Sequence, residues 1–347
     1  MTEKISYDRF LEMIRNPQTS DAEIAPYVEL ISVNGALDFE VNVNPLTVEM
    51  TAADEELESA MSIGNGLARF RRRSLFFSVA KSHPERAVVV SEGDSWFQFP
   101  ILIEETIDKL LPNYNIWSLG SAGATLEEMT SGPIKPRGFE FLLGLRKHRK
   151  QVRAFLFSGA GNDVLGEDPV SGDSMLASLL RPYNGDRDDI EGHIDKEALH
   201  ERIEALESKY RKVIETVHSE PGLERLPILI HGYDYAFPYP AGPEDIRNPV
   251  YAKRDQWLGR AFQQKAIADP QQRRKIIIVL IDRLYSMLEG LRDTPGQKNI
   301  HVVDCRGAMP RVTDWNDEIH GTSKGFSEVG RRFEAKLKEV IGTEGVS

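Results

Sequence analysis

The sequence predicts an α/β fold in which a parallel sheet of five strands carries helices on both sides. From about residue 86 onward, short apolar runs alternate with helical stretches, as in a series of strand–helix units. Each run is nearly continuously apolar, which is expected for strands buried on both faces. Ligands bind such sheets outside the carboxyl ends of the strands, so the residues that follow each run carry most information about function.

The elements of this domain follow in chain order. The five predicted strands are Ala87–Ser91, Asn115–Leu119, Ala154–Ser158, Pro227–Tyr233 and Ile300–Asp304. The predicted helices are Ile101–Leu111, Phe139–Lys150, Lys196–His218, Arg273–Arg292 and a last one from about Ser323 to Ile341. Two long connections, residues 164–195 and 234–260, are predicted insertions, because loops of this length usually carry function or structure of their own.

Residues 1–84 follow a different pattern and are predicted to be an N-terminal extension or docking module beside a main domain at 85–345. Short helices are expected at Tyr7–Arg15 and Asp21–Leu30, the second preceded by the capping signal Thr19-Ser20-Asp21. Weak alternation over Leu37–Met50 suggests a hairpin, and Ala52–Phe77 has a helical pattern. The segment holds no catalytic constellation, so a structural role and the binding of a protein partner both stay open.

Composition excludes several classes of function. A net charge of −11 argues against a nucleic-acid-binding protein, whose binding surface is basic. The cluster Arg71-Arg72-Arg73 is interpreted as a solvated helix face. The lone Cys305 is expected to be a buried thiol, and neither a metal site nor a cofactor is predicted. Because neither a signal peptide nor a transmembrane run is recognised, the expected location is cytoplasmic, with export by a signal-independent route as the alternative.

Chemically reactive groups follow four of the five predicted strands. Gly93-Asp94-Ser95-Trp96 comes after the first strand, and the loop that contains Gly123 comes after the second. The third strand leads into Ser158-Gly159-Ala160-Gly161-Asn162-Asp163, and the loop after the fifth holds Asp317-Glu318-Ile319-His320. Because the carboxyl ends of parallel strands share one edge of the sheet, we expect these groups to meet there.

These residue types suit acyl transfer. A serine hydroxyl such as that of Ser95 becomes a nucleophile only when a base removes its proton, and His320 can act as that base near neutral pH. The imidazole needs an acceptor that fixes its tautomer, which Asp317 can supply from three residues earlier. The candidate donors for the oxyanion are the Ser95 N–H, the Gly123 N–H and the side-chain amide of Asn162.

Several competing interpretations come from the same sequence. A second copy of the motif, Gly172-Asp173-Ser174, has no strand before it, so Asp173 or Ser174 is expected to cap a helix. Ser323 lies in a Gly-x-Ser-x-Gly pattern but lacks a preceding strand and is also expected to be a cap residue. Asp314 is the alternative to Asp317 as partner of the histidine. His231, at the end of the fourth strand, could line the site or be a structural histidine.

The set Ser95, Gly123, Asn162 and His320, with Asp317 completing an Asp-x-x-His pair, resembles the SGNH or GDSL-type hydrolase family over roughly residues 86–341. This resemblance implies a flavodoxin-like three-layer α/β/α sandwich and metal-independent hydrolysis of esters, thioesters, acetylated sugars or lipids. Two positions depart from the family pattern. Trp96 replaces the usual leucine, and the third block reads Ala160-Gly161-Asn162-Asp163 where the family has Gly-x-Asn-Asp.

The sequence therefore predicts a serine hydrolase that forms an acyl-enzyme on Ser95 from a small-molecule, lipid or glycan ester. Trp96 and the aromatic run after the fourth strand, with Tyr233, Tyr235 and Phe237, are candidate substrate-binding residues. Two alternatives stay open. One is an effector or conflict-system esterase recruited by its N-terminal module, and the other is an inactive hydrolase fold used for binding.

Overall fold

The computed structural model describes residues 4–16, 18–32, 39–50, 66–99, 103–131, 139–166, 174–242, 245, 247, 257–294 and 299–342. Its centre is a sheet of five parallel strands, which are β5 (Val88–Glu92), β6 (Asn115–Ser118), β7 (Val152–Phe157), β8 (Ile228–His231) and β9 (Ile300–Val303). The strand order is β6-β5-β7-β8-β9, so β5 pairs with β6 on one side and with β7 on the other. All five predicted strands are confirmed to within about two residues at each end.

Helices flank this sheet and enclose its core. In chain order they are α4 (Thr106–Leu110), α5 (Leu126–Thr130), α6 (Glu140–His148), α7 (Gly161–Leu165), α8 (Met175–Ser178), α9 (Lys196–His218), α10 (Leu258–Gln264), α11 (Pro270–Arg292) and α12 (Gly325–Ile341). Helix α12 packs on α4, while α9 packs on α5 and α11. The predicted α/β class is confirmed. Helix α9 has the predicted bounds, and α4 begins later than predicted, at Thr106.

The N-terminal elements have a small hydrophobic core of their own. They are β1 (Ile5–Ser6), α1 (Tyr7–Arg15), α2 (Asp21–Ile24), β2 (Val28–Ser32), β3 (Phe39–Val43), β4 (Val48–Glu49) and α3 (Gly66–Ser82). The helix predicted over Asp21–Leu30 is wrong beyond Ile24, because Pro26 lies in a short 3-10 turn and the chain continues as β2.

The hairpin predicted within Leu37–Met50 is also wrong. Strand β3 pairs antiparallel with β2, whereas β4 pairs in parallel with β1. The expected cap is confirmed at Ser20, which forms a capping box with Glu23. Of the helix predicted over Ala52–Phe77, residues 52–65 lie outside the described residues, and the rest falls in α3.

Helix α3 is bound to both hydrophobic cores. Arg71 pairs with Asp21 at 2.8 Å and donates to the Ile14 carbonyl, while Arg72 pairs with Glu105 and, at 2.8 Å, with Asp108 on α4. Both guanidinium groups are buried. The interpretation of this cluster as a solvated face is therefore wrong for Arg71 and Arg72, whose charges join α3 to its two neighbours.

The described helices can be assessed for their ability to cross a membrane. Among the residues that the structure describes, no helix has the length and apolar character needed to cross a bilayer.

Candidate active site

A sharp turn at the end of β5 presents Ser95. Gly93 lies so close to β7 that a Cβ at this position would come within 2.6 Å of the Ser158 Cβ, so only glycine fits there. The Phe97 and Gln98 N–H groups donate to the Asp94 carbonyl and close the turn. Ser95 is only 6% exposed, yet it lines a cavity beside the sheet. The predicted position of this serine at the carboxyl edge of β5 matches the observed one.

His320 reaches the end of β5 although its loop starts from β9, at the edge of the sheet. After that loop, α12 packs on α4, which follows β5 in the chain, and this packing brings the loop back toward the middle of the sheet. The Ser323 hydroxyl accepts the Glu104 N–H at 3.0 Å, and the Trp96 indole N–H donates to the Ile319 carbonyl at 3.0 Å. These contacts fix the histidine loop against the turn that bears Ser95.

Asp317, His320 and Ser95 form one hydrogen-bonded chain. The His320 Nδ1 lies 2.8 Å from the Asp317 Oδ2, and its Nε2 lies 2.8 Å from the Ser95 Oγ. A carboxylate can only accept, so the hydrogen of the neutral ring is on Nδ1 and the Nε2 lone pair faces the serine hydroxyl. In this arrangement the imidazole is positioned to take the proton of Ser95.

The Asp317 carboxylate is kept charged although it is buried. Burial acts to raise the pKa of Asp317, whereas the nearby His320 ring and its hydrogen bond act to lower it. The backbone N–H groups of Ile319 and His320 also donate to Asp317 Oδ1, at 2.9 and 2.8 Å. Together these contacts hold the pKa of Asp317 below its ordinary value, so it is ionised at neutral pH.

Candidate oxyanion donors come from the loops after β6 and β7. Gly123 has a φ of +83°, a conformation that favours glycine, and the Asn162 Nδ2 donates to the Ala124 carbonyl at 2.8 Å. Within the described residues, neither the Ser95 N–H nor the Gly123 N–H donates to a protein acceptor. Asn162 thus joins the two loops, and its second amide hydrogen and these two N–H groups are available.

Ala160, which stands where the family pattern has glycine, has an unusual backbone conformation. Ala160, which precedes the helix that bears Asn162, has a φ of +84°. A side chain in that region is strained, whereas glycine is not. The Gly161 N–H donates to the Tyr233 hydroxyl at 2.8 Å, and Tyr233 itself has a φ of +67°. Hydrogen bonding thus supports two strained positions at the edge of the site.

A second set of serine, histidine and aspartate lies next to the one that contains Ser95 and consists of Ser158, His231 and Asp94. The Tyr233 N–H donates to His231 Nδ1 at 3.2 Å, so the neutral ring carries its hydrogen on Nε2 and donates it to Ser158 Oγ at 2.9 Å. Ser158 in turn donates to Asp94 Oδ1 at 2.8 Å. Burial lowers the pKa of His231 to about 3. Of the two roles left open for His231, the structure supports the structural one.

The sequence did not indicate that Arg69 and Glu92 support the site. Arg69, on α3, donates to the carbonyls of Leu119 and Gly120 and pairs with Glu140 at 2.8 Å, which anchors the start of the Gly123 loop. Glu92 is buried and accepts the Gly93 N–H at 3.1 Å. Burial raises the pKa of Glu92 to about 8. A lone arginine in a segment without motifs offers no sequence signal for this role.

Glu318 holds the described ends of the 234–260 connection against the histidine loop. Its buried carboxylate accepts N–H groups from Tyr239, Trp257, Leu258 and Gly259, at 2.7 to 3.2 Å. The Trp257 ring packs edge-on against His320, with 5.8 Å between the ring centroids. Glu318, one of the two residues between Asp317 and His320, therefore holds the backbone that places the Trp257 ring against His320.

The four candidate substrate-binding residues have different positions. Trp96 and Tyr233 line the cavity, although Tyr233 also donates to Asp94 and Trp96 to Ile319. The structure does not bring Tyr235 or Phe237 to the cavity wall. Tyr235 donates to Asp282 at 2.7 Å, and Phe237 packs on Trp315 with Arg274 over its ring.

The competing motifs are explained by local structure. Ser174 caps α8 by accepting the Ala177 N–H, as expected, while Gly172 and Asp173 lie outside the described residues. Asp314 pairs with Arg311 at 2.7 Å and not with His320. Ser323 does not cap α12, because the cap position is Lys324 and the Ser323 hydroxyl accepts the Glu104 N–H instead.

The described residues also bear on metal binding. No group of three or more histidine, cysteine, aspartate or glutamate side chains within the described ranges has the arrangement to hold a metal ion. Cys305 is buried.

Comparison with known proteins gives distant structural neighbours. No protein-family model matches this chain, and no curated protein matches its sequence. A family 3 carbohydrate esterase from Clostridium thermocellum is 11% identical, with a TM-score of 0.38 over 74% of this chain and 100% of its own.

Two further solved structures are similarly distant. A carbohydrate acetylesterase from Sinorhizobium meliloti is 12% identical (TM-score 0.39, 73% and 99% covered), and an aryl esterase from M. smegmatis is 11% identical (TM-score 0.39, 73% and 99% covered). At these values the likeness carries no conclusion about the activity of this chain.

Proposed function

We propose that this protein is a serine hydrolase that cleaves an ester-type bond through an acyl-enzyme on Ser95. The observation that carries the proposal is the chain of hydrogen bonds from Asp317 through His320 to Ser95, whose hydroxyl borders a cavity. A serine with its base and the base's orienting carboxylate is the arrangement required for nucleophilic acyl transfer.

The reaction begins when Ser95 Oγ attacks the ester carbonyl carbon and its proton passes to His320 Nε2. The charge that develops on the carbonyl oxygen is stabilised by the N–H groups of Ser95 and Gly123 and by the side-chain amide of Asn162. His320 then gives its proton to the departing alcohol, which leaves the acyl group on Ser95. Water, deprotonated by the same imidazole, attacks the acyl-enzyme and releases the acid while the serine regains its proton.

Turnover of p-nitrophenyl acetate tests this proposal. We expect Ser95→Ala to lower kcat/KM by at least about a thousandfold, because the nucleophile is removed. Ser174→Ala is the matched control, since Ser174 belongs to the second Gly-Asp-Ser copy and caps a short helix. Unchanged hydrolysis in Ser95→Ala, or an equal loss in both variants, would contradict the proposal.

The role of the N-terminal residues is part of the same proposal. We propose that α3 belongs to the hydrolase unit and that any docking surface lies within residues 4–50, whose small core also takes in Ala68 of α3. A chain that begins at Glu85 lacks Arg72 and leaves Glu105 buried without its cation, which typically costs about 3–5 kcal/mol. We expect that shortened chain to be unstable in thermal unfolding, and a stable, active one would contradict this assignment.

A further inference from the structure

Two long helices contribute apolar side chains to the wall of the cavity beside Ser95. Its empty volume is about 860 Å3, which includes space open to solvent. Leu199, Ile203 and Leu206 line it from α9, at a spacing that puts all three on one helix face. A corresponding face of α11, which includes Leu280 and Leu284, lies opposite. The cavity thus extends from the reactive serine between two apolar helix faces.

Away from Ser95 and Asn162, the polar side chains in this wall each make at least one hydrogen bond to the protein. Tyr233 donates to Asp94, and the Asp234 carboxylate accepts the N–H groups of Gly307 and Met309. Arg202, also in the wall, donates to the Asp163 carbonyl at 3.3 Å. A site that recognises a polar ligand keeps buried donors or acceptors for it, because polar groups without partners are costly to bury. Away from the nucleophile, the described lining is suited to an apolar ligand.

We propose that this cavity holds an aliphatic acyl chain of several carbons, so that the enzyme prefers longer acyl esters to acetyl esters. The inference rests on the proposed function, since it concerns the acyl group attached to Ser95. That group stays covalently bound after the alcohol has left, so a cavity that begins at the serine suits the acyl side of the ester. An acetyl group would leave the apolar faces of α9 and α11 without contact.

The physical expectation is a rise in kcat/KM with acyl length. Each methylene moved from water into an apolar site contributes about 0.8 kcal/mol, which corresponds to roughly a fourfold change in kcat/KM per carbon. The rise should continue until the cavity is filled and should then stop. Acetates of alkanols of increasing length, in which only the alcohol changes, should show no comparable rise.

The test compares p-nitrophenyl esters from acetate to dodecanoate in the wild type and in Ile203→Trp, which places an indole in the cavity wall. We expect the optimum of Ile203→Trp to move to shorter chains. Leu143→Trp, at an exposed position on α6, is the matched control and should keep the wild-type profile. A decline from acetate onward, a rise in the alkanol series instead, or equal profiles in all three proteins would overturn the inference.

Binding of decanoate to Ser95→Ala, measured by calorimetry, separates the two proposals because it needs no turnover. We expect decanoate to bind and Ile203→Trp to weaken it when introduced into the same background. Ser95-dependent hydrolysis of acetate without decanoate binding would overturn the acyl-chain assignment alone. Decanoate binding without hydrolysis of any ester would overturn the proposed function and leave a cavity for aliphatic chains.

Discussion

This molecule contains two sets of serine, histidine and aspartate with nearly the same serine–histidine distance. In one, His320 Nε2 lies 2.8 Å from Ser95 Oγ, and in the other, His231 Nε2 lies 2.9 Å from Ser158 Oγ. The sets differ in the order of their hydrogen bonds. Asp317 bonds to its histidine and leaves Nε2 as an acceptor, whereas Asp94 bonds to its serine.

The second difference is access to a ligand. Ser95 borders the cavity, while Ser158 is completely buried and its only hydrogen is donated to Asp94. The comparison teaches that residue types and distances alone do not define a nucleophile. The direction of each hydrogen bond and an open path to the hydroxyl decide which serine can react.

The largest expected effect concerns Asp317, whose carboxylate sets the direction of the hydrogen bonds from His320 to Ser95. Asp317→Asn should lower turnover by about a thousandfold to ten-thousandfold, because an amide can present its N–H to Nδ1 and favour the wrong tautomer. Asp314→Asn is the matched control, since Asp314 pairs with Arg311, an exposed arginine, and not with His320. Steady-state kinetics with p-nitrophenyl acetate measure both variants, and equal losses would show that Asp317 has no special role.

A smaller effect is expected when the buried serine is removed. Ser158→Ala leaves the buried His231 N–H without an acceptor and removes one of the two hydrogen bonds to Asp94 Oδ1, which still accepts the Trp96 N–H. This should cost about 1–3 kcal/mol in the free energy of unfolding. Its turnover should fall far less than that of Ser95→Ala. Denaturant unfolding and kinetics of the two variants measure this contrast. A stable Ser158→Ala protein without activity would reverse the roles that we assign to the two serines.

An effect of comparable size is expected in the dependence of stability on pH. Because the pKa of His231 is about 3 in the folded protein and near 6.5 in the unfolded chain, the unfolded state binds the extra proton between these values. The free energy of unfolding therefore falls as the pH is lowered from 6.5 toward 3.

Urea unfolding at pH 6.5 and pH 4.5 measures this dependence. The loss of stability between the two values should be about 2 kcal/mol smaller in His231→Gln than in the wild type. His200→Gln, at an exposed position on α9, should behave like the wild type. Identical losses in all three proteins would show that His231 is not held neutral.

Much of the fold could be predicted because its signals are local. The strand Val88–Glu92 begins with three consecutive valines, and α9 is preceded by the capping residue Asp195, so both signals are local. Strand β2 was missed because it is stabilised by pairing with β3 across residues 33–38, which no local pattern indicates. The burial of Arg72 could not be predicted for the same reason, because its ion-pair partners belong to a different helix.

The candidate site was predictable to the extent that topology determines it. Parallel strands bring their carboxyl ends to one edge, and this rule alone placed Ser95, Asn162 and the histidine loop near one another. It could not distinguish Ser95 from Ser158, since both follow a strand. That distinction depends on which hydrogen bonds His231 and Asp94 make in three dimensions.

Labelling with a fluorophosphonate, followed by peptide mapping with mass spectrometry, tests the central claim most directly. The probe reacts with a serine only when a neighbouring base activates it and the site is accessible. We predict that the wild type and Ser158→Ala carry one label, on Ser95, and that Ser95→Ala carries none. Absence of label in the wild type, or label on another serine, would contradict the account.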